Sequence, residues 1–97
     1  MIVVAGTIGF ATADARDAAV AATVEHQRAT REGEPGCLAY CFAADPVEPT
    51  QLQVYELWAD EASLAAHFEH TVAITATAIW GGRASQDRRV LEAAKAA

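Results

Sequence analysis

Basic residues are scarce in this 97-residue chain: seven Lys and Arg stand against thirteen Asp and Glu, a formal net charge of −6. Nucleic acids and anionic membranes are bound by clustered cations that displace counterions, so this balance argues against both as partners. Four of the seven cations, Arg83, Arg88, Arg89 and Lys95, fall near the C-terminus and read as solvated charges. No apolar run approaches the ~18–20 residues that span a bilayer. Met1-Ile2-Val3-Val4 lacks the basic start of a secretory signal, so the expected location is the cytoplasm. Cysteines number two and histidines three. At ~3.3 Å per residue, Cys37 and Cys41 on one strand face would sit about 13 Å apart, too far for a disulfide. No residues stand at zinc-ligand spacing, and no metal is expected. The segments GxGxxG, GxxxxGK, GxSxG and HExxH are all missing, so nucleotide, serine-hydrolase and zinc-protease chemistries lack their usual signatures.

Hydrophobic residues make up 53% of the chain, but 24 of them are alanine, which leaves the apolar volume in few side chains. A single domain covering residues 1–97 and burying roughly 60–65% of its unfolded surface would have a thin core, and a partner subunit is expected to supply the rest. Ile2 to Phe10 reads as a strand, with Gly6 and Gly9 marking a bulge or a close approach. Thr12 or Asp14 caps a first helix over 14 to 31, with Val20, Val24 and Gln27 on one stripe and Gly33 as its stop. Cys37 to Phe42 forms a second strand with Leu38, Tyr40 and Phe42 on one face and Cys37, Ala39 and Cys41 on the other. Leu52 to Trp58 forms a third, apolar on both faces. Asp60 caps a helix with Leu64 and Phe68 facing the core, a bend or a second start near His70-Thr71, and an apolar pattern reaching Trp80 before Gly81-Gly82. The last segment fits a helix by propensity, but a strand over Gln86 to Leu91 would cover an open sheet edge, and the strand is the expectation.

The order EPGCLAY, then YELWAD, then ASLAAHF resembles the antibiotic biosynthesis monooxygenase (ABM) family, which includes quinol monooxygenases. The resemblance implies an α+β fold, a ferredoxin-like βαββαβ protomer pairing into a dimeric α/β barrel. It also implies a homodimer that oxygenates a quinol or polycyclic phenol with dioxygen, without flavin, haem or metal. Haem-degrading relatives of this fold use an Asn, Trp and His set. Asparagine is absent from this chain, and Thr7 stands near the expected position, which disfavours that reaction. A dimeric ligand-binding or stress-associated module without chemistry is the alternative, because fold does not fix function.

His67 is the candidate catalytic base: an imidazole titrating near neutrality suits removal of a phenolic proton. A histidine packed inside the protein fits the same position. Trp58, Tyr40, Tyr55 and Trp80, with His70 in second place, are the candidates for binding a planar substrate, and core packing explains aromatic residues equally well. His26, among Glu25, Gln27 and Arg28, reads as a surface residue. Glu56 within an apolar strand requires a partner, which Arg88 or Arg89 on a neighbouring final strand would supply.

Overall fold

Residues rich in β-branched and aromatic side chains form one antiparallel sheet, and an alanine-rich helix, a largely polar helix and the helix after Asp60 pack against it. The computed structural model describes residues 1–73 and 85–92, with side chains described through residue 69. The elements are β1 (Ile2–Gly9), α1 (Ala13–Ala22), α2 (Val24–Gly33), β2 (Cys37–Ala44), β3 (Gln51–Trp58), α3 (Glu61–Ala73) and β4 (Ser85–Glu92). The sheet order is β2-β3-β1-β4 with every pair antiparallel, the ferredoxin-like arrangement expected. The final segment is a strand, and it covers the outer edge of β1. Because β1 separates β3 from β4, Arg88 and Arg89 stand opposite Gly6 and Ala5, one strand removed from Glu56.

One face of the sheet is buried beneath the helices. Ile2, Val4 and Ile8 of β1 pair with Trp58, Glu56 and Leu52 of β3 on that face, and Tyr40 and Phe42 of β2 complete the layer. Ala19 of α1 and Leu64 of α3 close over it. The opposite face carries Ala5, Cys41 and the 44% exposed Tyr55 in one cross-strand row.

The strand β2 departs from simple alternation. Its register shifts between Cys37 and Ala39, so Leu38 is the extra residue of a bulge and is 51% exposed rather than aligned with Tyr40 and Phe42. Cys37 pairs with Trp58 on the helix face, whereas Cys41 pairs with Tyr55 on the open face. The two cysteines therefore lie on opposite faces, because a bulge resets the two-residue period. Both are free thiols.

The expected first helix is two, joined at Thr23. The Thr23 hydroxyl donates to the Val20 carbonyl at 2.7 Å, taking an acceptor that would otherwise serve the helical ladder. Thr12 is the N-cap, accepting from the Ala15 amide at 3.1 Å. The buried stripe is Arg16, Ala19, Thr23, Gln27 and Thr30, while Val24 is 46% exposed. That stripe is polar because α1 and α2 lie beside main chain that needs donors. Gln27 Nε2 donates to the Phe42 carbonyl at 3.0 Å, and Arg31 Nε donates to the Tyr40 carbonyl at 2.7 Å. Two side chains thus satisfy carbonyls along the outer edge of β2, where a fifth strand would otherwise bond. Arg16 Nη1 reaches the carbonyls of Asp45, Glu48 and Gln51, the last at 2.8 Å, and its Nε pairs with Asp17.

At the end of α2 the stop comes from Pro35 rather than from a left-handed Gly33. Proline forces its predecessor out of the helical region, and Glu34 is extended at φ −109°, ψ 105°. Gly36 then passes so close to Ser63 that any Cβ there would collide with that side chain. Asp60 accepts from the Ser63 amide at 2.8 Å and starts α3, and that bond holds its carboxyl below the usual range. The helix runs through His70-Thr71 to Ala73 without the expected bend. Trp80 and Gly81-Gly82 lie outside the described residues.

Arg16→Ala should lower the unfolding free energy by about 1–3 kcal/mol, since it removes part-buried hydrogen bonds to the carbonyls of the 45–51 connection. Arg28→Ala, which removes only the exposed pair with Glu25, should change it by under about 0.5 kcal/mol. Urea unfolding checks both, and equal effects would mean that the Arg16 contacts add no stability.

Candidate functional site

The alternation of β3 directs Glu56 and Trp58 into the helix-covered layer, and both are 0% exposed. A carboxylate at such a depth requires donors. Trp58 Nε1 donates to Glu56 Oε1 at 3.1 Å, and His67 Nε2 stands 3.8 Å from the same oxygen. These partners come from β3 itself and from α3. The side chains of Arg88 and Arg89 lie outside the described residues.

His67 follows Leu64 by three positions on α3, and both are buried. The expectation gave the core position to Phe68, but Phe68 is half-buried at the margin and His67 is 2% exposed. Its ring centroid lies 4.5 Å from that of Trp58 and 5.1 Å from that of Tyr40, the latter edge-on. On its other side, Nδ1 is 3.0 Å and 3.2 Å from the two carboxylate oxygens of Glu34. The imidazole is therefore bracketed by two acids, one fully buried and the other, Glu34, with its side chain 20% exposed.

Tyr40 is 2% exposed, and its hydroxyl is 2.9 Å from His26 Nε2. His26 is thus a member of the cluster rather than a surface residue, with its ring 6.4 Å from that of His67. Tyr40, Trp58 and His67 are brought together as a group. Tyr55 is not among them, because its odd position on β3 puts it on the open face. His70 lies on α3 with its side chain outside the described residues, as does all of Trp80. Sequence reasoning missed Glu34 and His26. The pre-proline position of Glu34 signalled an extended residue, and His26 had no local signal.

A depression of about 260 Å³ opens beside this cluster, bordered by Gly33, Glu34, Gly36, Ser63 and Ala66 with Trp58 beneath. Cys37 lies close by. Burial pushes its thiol up, Glu34 and Glu56 push it further, and Arg31 opposes them, so the thiolate is disfavoured. Among the described residues no group of three or more His, Cys, Asp or Glu is placed to hold a metal, and no helix is long and apolar enough to cross a membrane.

Comparison with known proteins places the chain in a family. The profile of the antibiotic biosynthesis monooxygenases (ABM) matches residues 1–77, and the chain belongs to that family. A Deinococcus radiodurans protein assigned to these monooxygenases superimposes with a TM-score of 0.83 at 22% identity, covering 100% of this chain and 96% of that one. A further antibiotic biosynthesis monooxygenase is 27% identical with a TM-score of 0.73, covering 98% and 100%. SnoaB of Streptomyces nogalater, a cofactor-independent oxygenase, is 7% identical with a TM-score of 0.70 over 97% and 93%, a likeness of fold. No curated protein matches the chain in sequence.

Glu56→Ala should lower stability by about 1–3 kcal/mol beyond Glu56→Gln, because it leaves the Trp58 indole N–H without its buried acceptor while Gln retains one. Denaturant titration of the two variants checks this. Equal midpoints for both and for the wild type would mean that Glu56 is solvated.

Proposed function

We propose that residues 1–97 act as one cofactor-independent monooxygenase domain on a small electron-rich quinol, with His67 as the base. The observation that carries this reading is the His67 imidazole, set between Glu34 and Glu56 and walled by the rings of Trp58 and Tyr40. His67 removes the phenolic proton, the anion transfers electrons to dioxygen, one oxygen atom enters the ring and the second leaves as water. For a hydroquinone the balance closes as quinol plus O2 giving hydroxyquinone plus water, so the substrate supplies every electron. Exclusion of bulk water strengthens the hydrogen bonds that hold the anion. Membership of the family and the cofactor-independent chemistry of SnoaB support the reaction class.

The deep burial of His67 favours a second reading, a ligand-binding module in which the same contacts only tie the helix to the sheet. Turnover separates the two. His67→Ala should lower quinol oxygenation by ~10²–10⁴ while leaving the fold intact. Product formation, followed by absorbance with oxygen uptake in buffer free of added flavin, haem and metal, checks it. Tight quinol binding without oxygen uptake by the wild type would favour the second reading.

The homodimer belongs to the same proposal. The open sheet face bears Tyr55 at 44% exposure beside Ala5 and Cys41, and pairing it with a second copy would bury that face at ~25 cal/mol per Å² of apolar area. Sedimentation at micromolar concentration should give about twice the chain mass, and a single monomeric species would remove the barrel from the proposal.

A further inference from the structure

The strand that ends the sheet, β2, carries none of the side chains that usually protect an edge. Its sequence, CLAYCFAA, holds no charge, no proline and no glycine. Edge strands ordinarily use charges and proline to refuse a partner, and an uncharged run without proline or glycine is the kind that pairs with copies of itself. The bulge at Leu38 disturbs only the start of the strand, and from Ala39 to Ala44 the register is regular. Among the described residues no strand lies beyond it.

Register shows which main-chain groups of β2 face outward. The Ala59 amide donates to the Gly36 carbonyl at 2.9 Å and the Asp45 amide to the Gln51 carbonyl at 3.0 Å, so the odd-numbered residues of β3 are the ones that bond to β2. Ala39, Cys41 and Ala43, opposite Leu57, Tyr55 and Gln53, therefore direct their peptide groups inward, and Tyr40, Phe42 and Ala44 direct theirs away from the sheet. The outward carbonyls of Tyr40 and Phe42 are those that α2 takes, through Arg31 Nε at 2.7 Å and Gln27 Nε2 at 3.0 Å. The two donors also hold each other. Arg31 Nη2 donates to Gln27 Oε1 at 3.4 Å, Gln27 Nε2 donates to Thr23 Oγ1 at 2.9 Å, and the Thr23 hydroxyl donates to the Val20 carbonyl at 2.7 Å. Only one orientation of the Gln27 amide satisfies this chain, and in it the N–H groups face β2.

We propose that Arg31 and Gln27 lock the outer edge of β2, and that the surface they close would otherwise pair antiparallel with β2 of a second copy of this chain. A second copy fits because a two-fold pairing of this strand sets uncharged side chains opposite one another, with no like charges to oppose it. Placing the lock on α2 leaves the strand itself free for packing, with Tyr40 and Phe42 in the core and Cys41 on the open face. If the open face also pairs, a copy with an unlocked edge has two different self-pairing surfaces, and their alternation builds an open chain of molecules instead of a closed pair. The inference is independent of the reaction proposed for the site.

Sedimentation velocity over a concentration series compares wild type with Gln27→Ala, Arg31→Ala and the double variant, each shown to be folded by circular dichroism. The wild type should keep one discrete species throughout. The double variant should rise with concentration to about twice that mass or more, and each single variant should do so less. Arg16→Ala, which removes bonds to the 45–51 connection and none to the β2 edge, should sediment as the wild type does. Adding Ala44→Pro to the double variant should reverse the association, because the outward amide of Ala44 lies outside the β3 ladder and proline there blocks an added strand while sparing the sheet. If the double variant does not fold, Arg31→Ala alone carries the test, since Gln27 still covers Phe42. A folded unlocked variant that keeps the wild-type mass at every concentration, equal association by Arg16→Ala, or association that survives Ala44→Pro would overturn the proposal.

Discussion

A carboxylate buried to 0% exposure in a central strand of an otherwise apolar layer is the constraint that organises this molecule. Such a group survives only when donors are brought to it. Glu56 accepts from the indole of Trp58 along its own strand, and the imidazole of His67 stands 3.8 Å from the same oxygen, brought across from α3. The position of His67 in turn fixes the rotation of α3, and its far side requires an acceptor, which the extended Glu34 provides. The strand, the helix and the turn before β2 are thus coupled through a single line of polar atoms within a core of small apolar volume.

A comparable logic governs the other side of the molecule. With 24 alanines, the chain has little hydrophobic bulk with which to seat its first helices. Arg16, Thr23 and Gln27 form their buried stripe instead, and each is engaged with a carbonyl. Hydrogen bonds of this kind contribute only about 1 kcal/mol net apiece, but leaving the same carbonyls dry and unmet would cost more. Directional bonds also fix the helices along the strand, where alanine methyl groups would allow them to slide.

Much of the fold was legible in the sequence, for identifiable reasons. A short run apolar on both faces marked β3, the Asp60 cap marked the start of α3, and the need to cover an edge identified the last strand against its own helical propensity. Membership of the monooxygenase family was carried by EPGC, YELW and AAHF. What escaped the reading were features that depend on long-range contact. Alternation along β2 said nothing of a bulge at Leu38, which is fixed only by pairing with β3. The first helix was assigned an apolar stripe through Val24, when the buried stripe is polar and turned away from that residue. His26 looked solvated among charged neighbours, and only the approach of Tyr40 from β2 draws it inward. Tyr40 and Trp58 pack against the His67 ring, whereas Tyr55 is separated from them by the pleat.

The helices rest on the sheet edge through side chains that address main chain. The acceptors are the carbonyls of Tyr40, Phe42, Asp45, Glu48 and Gln51, and a carbonyl is the same whatever residue bears it. Much of the information that seats α1 and α2 therefore resides in the helices, and the strand end and connection from 43 to 51 can drift in sequence where a side chain such as Asp45 does not itself hold their path. A lineage could recolour this corner of the surface extensively without disturbing the helices above it or the acid line beyond them.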